Sequence, residues 1–211
     1  MLKKCPHVMA LMACVAAGAA QAPAPVPRTC PPVDQAADDP DLFLFRAQLQ
    51  LAVARRDVPA VLAMTSPEVR ISFGPDDGFE AFERKLRAPG DQVWTELARV
   101  LALGGSFDTP GTFVAPYTRA CIRDLEDVVV VGSDVPVRSG ASTGARPIAS
   151  VGYAVLKGRI GSSKDGWAAV VLPDGRPGYV EAGLTRTAMD YRAFISRSGP
   201  SWRLTVFIAG D

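Results

Sequence analysis

Between Val128 and Thr185, short apolar runs alternate with clusters of Gly, Pro, Ser and Asp at intervals of roughly ten residues, the pattern of a small closed all-β module. Trp167 to Leu172 is rich in aromatic and β-branched residues and has the length of one strand. Leu172-Pro173-Asp174-Gly175 follows as a turn: Pro presets φ at the first central position, Asp suits the second, and Gly accepts the left-handed geometry that closes it. Gly178-Tyr179-Val180-Glu181 returns as the partner strand. Val135 and Val137 flank Pro136, which cannot donate to a ladder, so an edge strand is expected there. Two further apolar runs lie between Ile148 and Ile160, with Gly152 and Gly158 at the expected bends.

Three pieces of this stretch carry a resemblance. They are Val135-Pro136-Val137-Arg138-Ser139-Gly140, Gly166-Trp167-Ala168-Ala169-Val170 and Asp174-Gly175-Arg176-Pro177-Gly178-Tyr179-Val180. In order and spacing they resemble a bacterial SH3 domain. The resemblance implies a small, strongly bent β-barrel of an exported protein that binds cell-wall peptide or a partner protein. Pro136, Ala141 and Tyr179 stand where the family more often has Asn, Pro and Trp, and the middle, Ser150 to Leu156, is shorter than usual.

Residues 1–22 read as a signal peptide. Lys3 and Lys4 give a positive start, Val8 to Ala20 is apolar, and Ala20-Gln21-Ala22 is a small-x-small cleavage site. The apolar run is too short for a membrane span of about 20 residues. A rival reading takes Leu11-Met12-Ala13-Cys14 as a lipoprotein motif with Cys14 lipidated, which would be the one route to a membrane. Either way the expected location is outside the cytoplasm: periplasmic, extracellular, or anchored in the envelope. Loss of Lys3 and Lys4 takes the net charge from +1 to −1. A near-neutral chain lacks the basic field that nucleic-acid binding needs. Residues 23–41, rich in Pro and Ala, read as an extended tether. Of four cysteines, Cys30 and Cys121 lie beyond the leader, and an even pair in an oxidising compartment predicts a disulfide.

Residues 39 to 105 have helical periodicity. Asp39-Pro40 is an N-cap followed by Pro at the first helical position, and Leu42, Phe45, Leu49 and Val53 recur at helical spacing. Phe43, Leu44 and Leu51 broaden the stripe and predict a well-buried helix. Val58 to Met64 is a second short helix, Ser66-Pro67 a break, and Val69 to Phe73 a strand. Asp77 and Glu80 form a capping box for a helix through Arg87. Another helix starts at Asp91, with Trp94, Leu97, Val100 and Leu101 inward and Gly104-Gly105 as its stop. Tyr191 to Ile195 and Trp202 to Ile208 flank the turn Ser198-Gly199-Pro200-Ser201 as a hairpin, with Trp202, Leu204, Val206 and Ile208 on one face and Phe207 on the other. A lone hairpin is marginal in water, so it is expected to pair near Val69–Phe73 and pack on the helices. The fold class is therefore α+β, a small SH3-like β-barrel (128–185) combined with a helical layer (42–120) and a C-terminal β-hairpin (189–211). The order of the helical part and hairpin resembles the nuclear-transport-factor-2-like or cystatin-like arrangement.

The single histidine, His7, falls in the leader. Beyond it no Ser-His-Asp or Cys-His machinery and no His-built zinc site can be assembled, so no catalytic residue, metal or cofactor is expected. Gly161 to Lys164 lacks the glycine-rich run of a phosphate loop. A carboxylate-based cell-wall hydrolase is the remaining enzymatic alternative, on Asp77 and Glu80 within the cluster Asp76, Asp77, Glu80 and Glu83; adjacent acids at a helix start read as capping. Asp124, Glu126 and Asp127 read as a solvated linker. For binding, the candidates are Arg138, Tyr153, Trp167, Arg176 and Tyr179, an aromatic groove with arginines for a ligand carboxylate. Arg138 alternatively pairs with Asp174, and Trp167 alternatively belongs to the core. The expected function is recognition of cell-wall peptide or an envelope protein; the competing expectation docks the module on the chain's own helical layer.

Overall fold

The computed structural model describes residues 26–158 and 165–210. The leader, Cys14 and the Gly161–Lys164 run lie outside them. Strand β1 (Arg28–Thr29) and a 3-10 turn at Gln35–Asp38 come first. The Pro/Ala stretch is thus held to the body from Arg28 onward, with Cys30 and Ala36 fully buried. Helix α1 (Pro40–Ala54) begins as its sequence dictates: the Asp39 carboxylate accepts from the Asp41 and Leu42 N–H groups, each at 3.0 Å. Leu42, Leu49 and Val53 face the core, but Phe43, Leu44 and Leu51 are about half exposed. The helix packs on one side only, so a broad apolar stripe did not mean burial all round. Arg46 takes a place within the inward stripe. It is 7% exposed, forked onto both oxygens of Asp34 at 2.5 Å, and lies 5.8 Å over the Phe113 ring.

Helix α2 (Val58–Ala63) runs directly into β2 (Thr65–Arg70), four residues before the expected strand. Pro67 does not break it, because β2 is an edge strand and an exposed Pro there costs no ladder bond. The expected capping box is absent. Helix α3 (Phe79–Arg87) has Gly78 at its N-cap without a side-chain bond. Asp77 instead turns back and accepts from the N–H groups of Ile71 at 2.6 Å and Ser72 at 3.0 Å and pairs with Arg70. These bonds, led by Ile71, hold Asp77 down to about 2. Helix α4 (Gln92–Ala102) buries Trp94, Leu97, Val100 and Leu101 as expected. Gly105 just beyond it has no alternative, since a Cβ there would sit 2.2 Å from the Val114 carbonyl oxygen.

Strands β3 (Ser106–Thr109) and β4 (Thr112–Ala115) lead through a 3-10 turn at Tyr117–Cys121 into the second half. That half comprises β5 (Asp127–Val130), β6 (Val135–Arg138), β7 (Pro147–Val151), β8 (Ala154–Gly158), β9 (Trp167–Val171), β10 (Pro177–Glu181) and β11 (Thr185–Thr187). The chain ends in the hairpin β12 (Arg192–Ser198) and β13 (Ser201–Ile208). Two sheets result. One runs β2-β13-β12-β4-β3, with β13 and β2 parallel, and carries the helices on one face; the other runs β11-β5-β8-β9-β10-β6-β7, with β1 beside β8. The fold is α+β. Among the described residues the second sheet is an open path ending at β11 and β7, not a closed one. β7 and β8 are consecutive in sequence yet separated along the path, because the chain bends sharply at Gly152–Tyr153 and β1 takes the β8 edge at Ala154 and Val155.

Pro136 is not on an edge: β6 lies between β10 and β7. β10 reaches only as far as Arg138, so Pro136 faces no ladder bond on that side. In β13 the register shifts between Leu204 and Val206, leaving Thr205 as an extra residue. This moves Phe207 onto the core face with Trp202 and Leu204, where it stacks on Tyr191 at 4.7 Å and meets Phe82 at 6.2 Å. Three apolar clusters hold the molecule. The first, including Leu49, Phe82, Leu97, Phe113 and Leu204, lies between the helices and the first sheet. The second, including Val137, Leu156, Val170 and Val180, lines the second sheet. The third joins the halves with Tyr117, Val129, Val155 and Cys30, whose disulfide to Cys121 spans a Cα–Cα distance of 5.9 Å.

Candidate binding groove on the second sheet

Alternation along β9 and β10 sorts the candidates. Val170 and Val180 belong to the second cluster, so Trp167, Ala169, Val171, Pro177 and Tyr179 take the other face. Tyr179 lies opposite Ala169 on one side and Arg138 on the other. A groove of about 700 Å³ runs over this face, and its lining residues all lie between Glu126 and Tyr179. Gly178 makes the close approach of β10 to β6 possible, because a Cβ there would come within 2.4 Å of a Val137 methyl group.

Trp167 and Tyr179 both line this groove. Trp167 is 8% exposed and Tyr179 half-buried, and neither belongs to the helical layer's apolar cluster. Arg138 adjoins Tyr179 in register but is tied to its own loop, its Nη1 donating to the Ala145 carbonyl at 2.9 Å. It does not pair with Asp174. That carboxylate takes Arg176 at 2.7 Å, because a two-residue separation across the tight turn brings the two together first. Arg176 lies instead along a separate groove of about 360 Å³ with Pro173 and Val26. Tyr153 goes elsewhere again: its carbonyl accepts from the Cys30 N–H at 2.6 Å, and its ring is a neighbour of Tyr117, whose phenol burial pushes up and Tyr153 raises further. Of the five candidates, the fold brings two into one groove and sets a third beside them.

Lys157, Val171 and Pro177 line the groove without having been singled out. The period-two pattern carried the signal, since Lys157 and Val171 are outward positions, paired in register, and Val171 is 45% exposed. Lys157 is bound to Asp124 and lies 2.9 Å from Asp127. Asp127, expected in a solvated linker, has a fully buried side chain. It also accepts from Arg28 at 2.8 Å and from the Arg123 N–H at 2.9 Å. Burial pushes its carboxyl up, but these donors outweigh that and hold it down to about 2.

Of the four acids around the start of α3, all but Glu80 are likewise engaged. Asp76 pairs with Arg84 at 2.6 Å, Glu83 with Arg87 at 2.8 Å, and Asp77 closes its own loop. Among the described residues no three His, Cys, Asp or Glu side chains group as metal ligands would, and no helix is long and apolar enough to cross a membrane.

No protein-family model matches the chain, and no curated protein matches it. Among solved structures, a proposed aromatic ring hydroxylase from Novosphingobium aromaticivorans aligns with it at 15% identity over 80% of this chain and 84% of that one. The TM-score is 0.25, and a likeness of that size carries no argument about fold or chemistry.

Proposed function

We propose that the protein is an exported, non-catalytic envelope protein whose second half is an SH3-like module that binds cell-wall peptide. The observation that carries this reading is the groove holding Trp167 and Tyr179 together on the outer face of β9 and β10, with Val171 and Pro177 as apolar flanks. An aromatic, partly apolar channel of this size suits an extended peptide, and Lys157, Glu126 and Asp165 at its walls offer charges of both signs to the carboxylates and amines of a peptidoglycan stem. Export is supported by the leader-like first 22 residues and by the Cys30–Cys121 disulfide, which belongs in an oxidising compartment. The non-catalytic reading rests on the lack of any histidine after His7.

Retention of residues 23–211 on purified sacculi at low salt tests this. The wild-type protein should be retained. Val171→Asp with Tyr179→Ala should weaken retention about tenfold, the effect of losing roughly 1.4 kcal/mol of contact. Arg176→Gln, on the other groove, should leave it unchanged. Absence of retention, or equal retention of the double variant, refutes the proposal.

A further inference from the structure

A second cleft lies along the seam of the two halves, where β11 gives way to β12. Arg186, paired in register with Val129, is 3% exposed. Its Nη1 lies 3.4 Å from Glu96 Oε2, and its Nη2 has no hydrogen-bond partner among the described residues. A buried guanidinium donor left unmet is costly enough that folds meet it with water or a ligand. Arg186 lines a cavity of about 10 Å³ together with Arg119, Arg192, Asp190 and Thr118. Three arginines and one aspartate line it, with Glu96 behind Arg186 as a second carboxylate, and Asp190 already accepts from the Thr187 N–H at 2.7 Å. Arg192 donates to the Gly210 carbonyl. Arg119 is also a wall of a groove of about 380 Å³ lined by Phe107, Val114 and Phe194, with Asp108 among its polar residues. Arg192 and Phe194 are alternate positions of one strand, so the cavity and groove adjoin along β12.

We propose that this cleft binds a small monocarboxylate. One carboxylate oxygen enters the cavity and accepts from Arg186 Nη2, Arg119 takes the other, and the apolar body lies over Val114 and Phe194. The cavity is small: it holds one water-sized atom, enough for a single oxygen of the head group. Charge limits the rest, since Asp108 and Asp190 disfavour a second negative group. Arg is the residue whose planar fork matches a carboxylate.

Calorimetry of the disulfide-intact protein with N-acetylphenylalanine and with its amide tests the proposal, because the two probes differ only in the charged group. The acid should bind saturably, one per chain and at least tenfold tighter than the amide. Arg119→Gln, a change at an exposed side chain, should weaken the acid about tenfold and leave the amide unaffected. Tyr179→Ala should change neither, which separates this cleft from the groove on β9 and β10. Arg186→Gln should abolish binding of the acid; where that variant does not fold, the acid–amide comparison and Arg119→Gln decide. Equal binding of acid and amide, or no binding of the acid at millimolar concentration, overturns the proposal and leaves water as the occupant of Arg186.

Discussion

Asp127 has the most demanding environment of any carboxylate described here. It is removed from water, which disfavours its charge, yet it stays ionised because Arg28, Lys157 and the Arg123 N–H all point at it. A carboxyl held down in the folded state contributes stability that is present above its ordinary value and lost as pH falls through the folded one. For Asp127 that window runs from about pH 4 down to about 2, and the contribution is roughly 2 kcal/mol. Urea unfolding at intervals across that range should show the decline, and Asp127→Asn should flatten it while lowering stability near neutral pH. Parallel pH profiles for the two proteins would show that the ion pairs do not hold this carboxylate. Arg28 is the first residue of β1, so one side chain pair also fixes the incoming chain to the second sheet.

Elements here begin and end where local chemistry is unambiguous and drift where it is not. Asp39-Pro40 opened α1 as read, because a cap needs only its own next three residues. Asp77 offered the same local signal, yet its carboxylate closed the 71–77 loop, since N–H groups from an earlier segment reached it first. At the end of α4, Gly104 and Gly105 do different work. Gly104 has φ +66, the left-handed stop; Gly105 admits β4, whose Val114 carbonyl occupies the place of its Cβ. Gly105→Ala should therefore force β4 away and destabilise the protein by about 1–3 kcal/mol, read as a lower denaturation midpoint with unchanged slope. A change within a few tenths of a kcal/mol of wild type would mean that β4 adjusts freely.

The whole molecule depends on a thin join. Two separate apolar clusters are linked by the third, by the Arg186–Glu96 pair and by a disulfide between residues 91 apart. Closing a loop of that length stabilises by about 4–5 kcal/mol in the chain-entropy picture. With the bridge intact, Leu97→Ala in the first cluster and Val180→Ala in the second should lower one shared unfolding midpoint. After reduction the two should act on separate transitions, followed by fluorescence of Trp94 and Trp202 in one half and Trp167 in the other. Separate transitions in the oxidised protein would place the coupling elsewhere or nowhere.

Residue order alone determined the helices from Asp39 to Ala102, the Pro173–Gly175 turn, the hairpin at Gly199 and the pairing of Cys30 with Cys121, because each follows from neighbours a few positions apart or from the count of thiols left to pair. The placement of Trp167 beside Tyr179 was half legible: alternation put both on one face, but it could not tell a groove from a covered surface. Only the tertiary structure decided which arginines were committed and which converged. Arg138 and Arg176 are held by their own turns, whereas Arg119, Arg186 and Arg192 come from three separate elements to one seam. Burial of Asp127 and the extra Thr205 in β13 belong to the same class. Periodicity describes what a segment does along its own axis; it holds no record of the distant chain that will pack against it.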